Sequence, residues 1–477
     1  MRVSEFFKLG KGQPFLDFVD VRLDTDIAVF VDPTGLKSLN SKWGQECKSM
    51  VQHYFEAVLD QIKSGNDQRA QELVSSLRER NEFHLGFSSG KSQGHGFGSK
   101  SAESVWGALS KSAAAKSGLL KDLEDTCLLI EGIGRDMVSD AVCNIIRGPL
   151  ITYTQEMCRY YGIPLNPGVA SGPIWDPSAQ IWESAFVELP VTSYGPVILV
   201  PKIIVRHRLS YEYGEYYTHY LLPEMQSAEK AANTSLVYLL RDGRKRVTKK
   251  DLKAKYGSDK LAVIKQTLKH PHVLDEYREE KSERAPPPLD HEQLAEVAGA
   301  DVPDWDGLAE RLRRLPTGNQ AADEYEKLIE EILSALFYPS LCNPTKQHEI
   351  HEGRKRVDIT YMNEAKAGFF AWVSQHYPAA FIFVECKNYG SELGNPEIDQ
   401  LGGRFSPSRG RVGILVCRSL DKPKVLDARC HDTAKDDRGF IIYLTDDDVL
   451  QLIQQAKSGV TSMDFPLLVR KFRGLLD

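Results

Sequence analysis

The chain has 477 residues, of which 42% are apolar, 26% charged and 9% aromatic, a balance that excludes disordered, collagen-like and membrane-spanning classes and fits roughly two to four packed domains. Sixty Lys and Arg against 66 Asp and Glu give a net charge of −6, so a polyanion must be met by a local basic patch rather than a basic coat. Eight scattered cysteines without a Cys-x-x-Cys pair argue against a disulfide framework or zinc knuckle, and the lack of a leader-like start or a spanning apolar run predicts a cytoplasmic protein with no membrane partner.

Residues 1–281 read as an α/β or α+β region. Strand-like stretches fall within 18–30, helical spacing within 47–62 and 71–80, and an apolar strand or strand pair broken by Pro201 within 197–206. The Gly- and Ser-rich stretch 86–101 predicts a long surface loop. Its run from Gly86 to Ser92 is one residue short of a phosphate-loop spacing and follows no clear apolar strand, so ATP is not expected. Asp136 and Asp140 share a helix face, either in a structural network with Arg135 or Arg147 or as a ligand- or nucleic-acid-sensing pair. Tyr211, Tyr213, Tyr216, Tyr217 and Tyr220 suit packing or base stacking. Residues 241–260 carry nine Lys and Arg against three acids. Arg244, Lys245, Arg246, Lys249 and Lys250 are therefore either a solvated face or a patch that neutralises nucleic-acid phosphates.

Pro286, Pro287 and Pro288 can continue neither a helix nor a ladder, so 282–306 is predicted to be a Pro-rich, acidic linker and hinge. Beyond it, 307–477 shows helices at 320–337, 364–376, 396–403 and 446–456. These interleave with strands near 346–350, 356–361, 381–387, 412–417 and 440–444, the pattern of an α/β sheet covered on both faces. His348 and His351 are close together but lack metal-ligand spacing.

The chemistry concentrates where the apolar run Phe381–Val384 ends in Glu385-Cys386-Lys387. Alternation along a strand puts Glu385 and Lys387 on one face and Cys386 on the other. Glu-x-Lys also begins at Glu46, Glu279 and Glu364, but those copies sit in predicted helices or in the approach to the linker, where exposed charge is ordinary. Asp358 lies opposite Val357 and Ile359 on a neighbouring strand. In the helix before it, Glu326 falls within the apolar stripe that contains Tyr325, Leu328, Ile329 and Leu333, whereas Glu331 does not.

Glu326, Arg356-Val357-Asp358-Ile359, Phe383-Val384-Glu385-Cys386-Lys387 and Asp399-Gln400-Leu401 together resemble the PD-(D/E)xK nuclease superfamily, in its Mrr-type restriction-endonuclease-like branch. The likeness covers roughly 320–477 and departs from the family in Val357, where relatives carry Pro, and in a predicted helix between the two site strands. It implies a restriction-endonuclease-like mixed sheet flanked by helices and a metal-dependent DNA endonuclease, in the setting of defence against phage or foreign DNA. It further implies Mg²⁺, with Mn²⁺ able to substitute, on Asp358, Glu385 and the Cys386 backbone carbonyl, with Glu326 acting through a water or a second ion. Lys387 would orient or help deprotonate the attacking water, and Gln400 would position substrate or Lys387. Duplex DNA is the expected partner, with Arg404 added to the basic residues that meet it. Cutting both strands is compatible with a homodimer or higher oligomer, and a protein trigger is compatible with the larger N-terminal region. The competing readings are a non-catalytic DNA-binding or partner-scaffolding protein, and a nuclease for RNA or branched DNA.

Overall fold

Residues 3–298 supply one hydrophobic core, joined by Tyr338 and Cys342, and residues 308–475 supply a second. The computed structural model describes residues 1–77, 80–86, 108–109, 112–346, 359–388, 393–459 and 463–477. The expected loop over 87–101, His348, His351 and Asp358 lie outside the described residues. The chain is mixed α/β.

The first core is built mainly by helices α1 (Lys42–Lys63), α2 (Asp67–Val74), α3 (Arg135–Ile145) and α4 (Arg147–Tyr161). Ser41 caps α1 by accepting from Gly44 N, and Cys47, Val51, Tyr54, Val58 and Ile62 then bury one face at helical spacing. The strand expected within 18–30 shrinks to Phe30–Val31, paired with Val205–Arg206. The reason is local: buried Asp20 accepts from Ser4 N and Ser4 Oγ, and Gln13 takes the Asp20 N–H, so side chains replace the ladder. Lys202–Ile204 likewise forms a 3₁₀ turn rather than a strand. The antiparallel hairpin of β1 (Asn166–Asp176) and β2 (Ile181–Leu189) has no clear sequence signal, because Pro167, Gly168, Gly172 and Pro173 interrupt the alternation. After it come α5 (Leu222–Ala231), the short hairpin β3 (Tyr238–Leu239) and β4 (Lys245–Arg246), then α6 (Lys249–Tyr256), α7 (Lys260–Thr267) and α8 (Pro271–Glu283).

The expected linker is packed. Pro286–Pro288 do lie outside helix and strand, but Asp290 accepts from Gln293 N and starts α9 (His291–Ala298) directly after them. Leu289 and Leu294 are buried, and Arg206 Nε donates to Pro286 O at 2.9 Å. Tyr338 OH donates to Leu289 O at 2.9 Å, and His291 Nε2 meets Ala335 O at 2.9 Å.

The second core surrounds one five-stranded sheet. In chain order its elements are α10 (Trp305–Arg314), α11 (Ala322–Phe337), β5 (Leu341–Thr345), β6 (Ile359–Asn363), α12 (Gly368–His376) and β7 (Phe381–Lys387). These are followed by α13 (Asn395–Gly402), β8 (Val412–Cys417), α14 (Pro423–Lys435), β9 (Phe440–Thr445), α15 (Asp446–Lys457) and α16 (Pro466–Arg473). The strand order is β9-β8-β7-β6-β5, with β7, β8 and β9 parallel and β5, β6 and β7 antiparallel. The helix between β6 and β7 does not disturb their pairing: Ile359 faces Val384 and Met362 faces Phe381. Among the described residues, no helix is long and apolar enough to cross a membrane.

Buried charge joins the two cores. Asp17 accepts from Tyr153 OH at 2.7 Å and from Asn343 N at 2.8 Å, and the Lys202 ammonium lies 4.0 Å from the Tyr338 ring centre. Glu364, expected to be exposed in a helix, is instead buried ahead of α12. It accepts from Asn40 N at 2.7 Å and Ser41 N at 3.1 Å. Burial, reinforced by the Lys202 charge, lowers His291 to about 4, against about 6.5 in an unfolded chain. The unfolded state then binds more protons between those values, so stability is full above about pH 6.5 and falls as pH drops toward 4. The unfolding free energy measured with urea should decline across that window, by at most roughly 3 kcal/mol, and His291→Gln should flatten the decline. An unchanged pH slope in the variant would contradict the assignment.

Candidate active site

β7 is flanked on both sides in the sheet, and its Ile382, Phe383 and Val384 are buried, which explains the continuous apolar run. Phe383 and Glu385 share the face covered by α13, where the Phe405 ring lies 5.8 Å from that of Phe383. Close approach of α13 depends on Gly413 of β8: a Cβ there would stand 2.9 Å from Leu401 and 3.0 Å from Phe405. The helix is thereby seated low enough for its Gln400 to reach the strand end.

Glu385 is 1% exposed, and three groups meet it. Its Oε1 accepts from Lys387 Nζ at 2.8 Å and from Gln400 Nε2 at 2.9 Å, and its Oε2 lies 3.6 Å from Arg404 Nη2. The alternation expected of Glu385 and Lys387 is thus present. Gln400 sits late in α13 rather than opening it, and it holds Glu385 directly. Arg404, expected at a DNA-facing surface, is 2% exposed. The chain turns back after α13, so its Nε donates to Gln400 O at 3.2 Å and its guanidinium faces the acid.

Glu385 Oε2 is buried and has no hydrogen-bond partner among the described residues. An unfilled carboxylate oxygen of this kind is a suitable donor for a hard divalent cation. Among the described residues, no group of three or more His, Cys, Asp or Glu converges as a metal site, and Asp358, the other expected ligand, lies outside them. Cys386 is partly buried.

Glu326 is partly exposed. Its carboxyl is raised above the usual range by burial and by the negative charges of Glu330, Asp323 and Glu385, against the lowering effect of Lys346. The helix thus brings a second acid within electrostatic reach of Glu385. Sequence reasoning missed Glu330 on the same helix. It is 3% exposed and pairs with Lys11 at 3.4 Å and Lys346 at 2.8 Å. At 100° per residue it lies only about 20° beyond Phe337, at the stripe's edge, so a wider stripe would have included it.

On the other face of the strand ends is a set with no sequence signal. Asp446 accepts from Tyr325 OH at 2.9 Å and pairs with Arg418 Nε at 3.0 Å. Burial raises its carboxyl to about 6 even though Arg418 and the Tyr325 hydrogen bond pull it down. Asn388, just past β7, donates to Pro316 O at 3.2 Å and Gly318 O at 2.8 Å, fixing the strand end to the loop before α11.

The other candidates are dispersed. Arg244, Lys245 and Arg246 are exposed on the β3–β4 hairpin and Lys250 is exposed on α6, while Lys249 Nζ donates to Thr218 O at 2.7 Å. Arg147 pairs with Glu82 at 3.0 Å and donates to Ser171 O, and Arg135 approaches Glu212 at 3.6 Å.

A family model for a domain of unknown function, DUF8370, matches residues 8–212. No curated protein and no solved structure matches the chain. The matched stretch ends before α5 and includes none of the residues around Glu385.

Removing the guanidinium should leave Glu385 with one fewer buried counter-charge. Arg404→Ala is expected to lower folding stability in EDTA by about 3 kcal/mol, measured by urea unfolding. A wild-type midpoint would show that the pair carries no such weight.

Proposed function

We propose that the chain is a metal-dependent DNA endonuclease, with a C-terminal restriction-endonuclease-like domain of the PD-(D/E)xK, Mrr-type kind, acting against phage or other foreign DNA. The observation that carries the reading is Glu385. It is a buried carboxylate at the C-terminal end of a central strand, with one oxygen that has no hydrogen-bond partner among the described residues and a lysine on the same face. Ligand sites in open α/β sheets favour that end of the strands.

In this reading Glu385 and Asp358 hold the cation together with the Cys386 carbonyl. Asp358 is covalently adjacent to Ile359, whose partner Val384 is adjacent to Glu385. When bound, Mg²⁺ or Mn²⁺ would supply Lewis-acid stabilisation at the scissile phosphate and make a water easier to deprotonate to the attacking hydroxide. Lys387 would orient or help deprotonate the attacking water and offset charge at the phosphate. Gln400 fixes the Glu385 carboxylate, and Glu326 adds a second acid facing the same space. Arg404 is a positioning residue whose guanidinium faces Glu385 Oε2.

One observation favours a second reading. Lys387 and Arg404 already neutralise Glu385 without a metal, which would suit a duplex-binding scaffold. Incubation of supercoiled plasmid and linear duplex with Mg²⁺, Mn²⁺ or EDTA separates the two. The nuclease reading expects metal-dependent nicking or linearisation, reduced at least ~100-fold in both Asp358→Ala and Lys387→Ala. Cleavage that persists in both variants would remove the site from the chemistry, and no cleavage in any metal would favour the scaffold.

A further inference from the structure

Helices α6 and α7 are each eight residues long and are joined by only Gly257, Ser258 and Asp259. Two short helices joined by a three-residue turn containing glycine have the connectivity of a helix-turn-helix. The joint is built for rigidity. Thr248 caps α6 by accepting from Asp251 N, and Asp259 caps α7 by accepting from Ala262 N at 2.7 Å. Gly257 adopts φ +86°, and a Cβ there would lie 3.0 Å from that of Ala262, so glycine lets the turn close against the second helix. Tyr213 and Tyr217 clamp it from below, their hydroxyls donating to Ser258 O and Gly257 O at 2.7 Å each. The tyrosine cluster thus braces the turn.

Helix α7 buries Ala262, Val263, Ile264, Gln266 and Thr267 and turns Leu261 and Lys265 outward, while Leu268 and Lys269, in the turn just past its end, are also exposed. Leu261 and Lys265, four residues apart, lie on one face of the helix. Leu261 is 56% exposed and Leu268 39%. Exposed leucines beside lysines suit a major groove, where thymine methyls offer apolar contact beside base-edge acceptors.

Charge points to the same partner. Residues 241–269 hold eleven Lys and Arg against three Asp, a net of +8 in a chain of −6. The three acids are engaged locally: Asp242 with Arg244 at 2.6 Å, Asp251 with Thr248 Oγ1 at 2.5 Å, and Asp259 in its cap. A chain of contacts brings the basic segments onto one surface. Lys245 of the hairpin reaches Lys230 O at 3.5 Å, and Lys255 of α6 reaches the neighbouring Glu229 at 3.4 Å. Lys255 and Lys269, just past α7, then lie 4.8 and 5.7 Å from the centre of the Tyr256 ring.

We propose that α6 and α7 are a helix-turn-helix for B-form duplex DNA, with α7 against base edges in the major groove and the β3–β4 hairpin and α6 on the flanking phosphates. The nuclease reading uses the same duplex, but its metal site contains none of these residues.

The test is fluorescence anisotropy of a labelled 30-base-pair duplex with the full chain in EDTA, over a range of salt. Lys265→Glu with Lys269→Glu should weaken binding about tenfold or more, and Lys265→Arg with Lys269→Arg should restore most of it. Arg244→Glu with Arg246→Glu should lower the slope of log affinity against log salt by roughly two. Melting temperatures should stay at the wild-type value, since all four side chains are exposed. Wild-type duplex binding by both Glu variants would overturn the proposal, as would wild-type protein that prefers single-stranded RNA. If wild type cleaves plasmid while these variants bind normally, this inference fails alone. If nothing cleaves but the variants lose the duplex, the nuclease reading fails and this one stands.

Discussion

Desolvating a carboxylate costs several kcal/mol unless cations meet it, and Glu385, 1% exposed at the end of a core strand, imposes that requirement on its surroundings. Lys387 answers it from the same strand face, Gln400 from α13 and Arg404 from the chain just beyond that helix. Their placement depends in turn on the fit of Leu401 over Gly413, which sets the height of α13 above the sheet. The site is the convergence of a strand end, a close-packed helix and a reversed arginine, all anchored in the second hydrophobic core.

The two cores meet through polar groups that are themselves buried. Asp17 links Tyr153 to the backbone of Asn343, Glu364 accepts from the backbone before α1, and Lys11 pairs with Glu330 on the same helix as Glu326. Loss of one member would leave its partner desolvated and unpaired, so the junction specifies one relative placement of the two parts. That matters for function because α11, which carries Glu326 toward Glu385, is also the helix that the N-terminal region grips.

The strands near 381–387, 412–417 and 440–444 and the helix at 396–403 were legible in the sequence, because strands buried on both faces read as apolar runs bounded by turns, whereas helix α14 between the last two strands was not read as one. The Glu385–Lys387 pairing was legible for the same reason, since alternation on a strand is local. Arg404 was not: only the reversal after Gly403 aims it inward, and in sequence it reads as one more basic residue. Glu364 misled because a buried carboxylate that caps a distant backbone has no local pattern to distinguish it from an exposed one. The 282–306 segment misled because three prolines dominate its composition, while the capping box of Asp290 and Gln293 that starts α9 occupies only four positions.

The central claim is that Glu385 is half of a divalent-cation site rather than only the acid of an ion pair. Titration of Mn²⁺ into the full chain, followed by the electron paramagnetic resonance of free Mn²⁺, measures this without reference to cleavage. The account predicts saturable binding that is lost in both Glu385→Gln and Asp358→Asn but retained in Lys387→Ala. Mn²⁺ binding that is absent from the wild type, or unchanged in the two carboxylate variants, would contradict it.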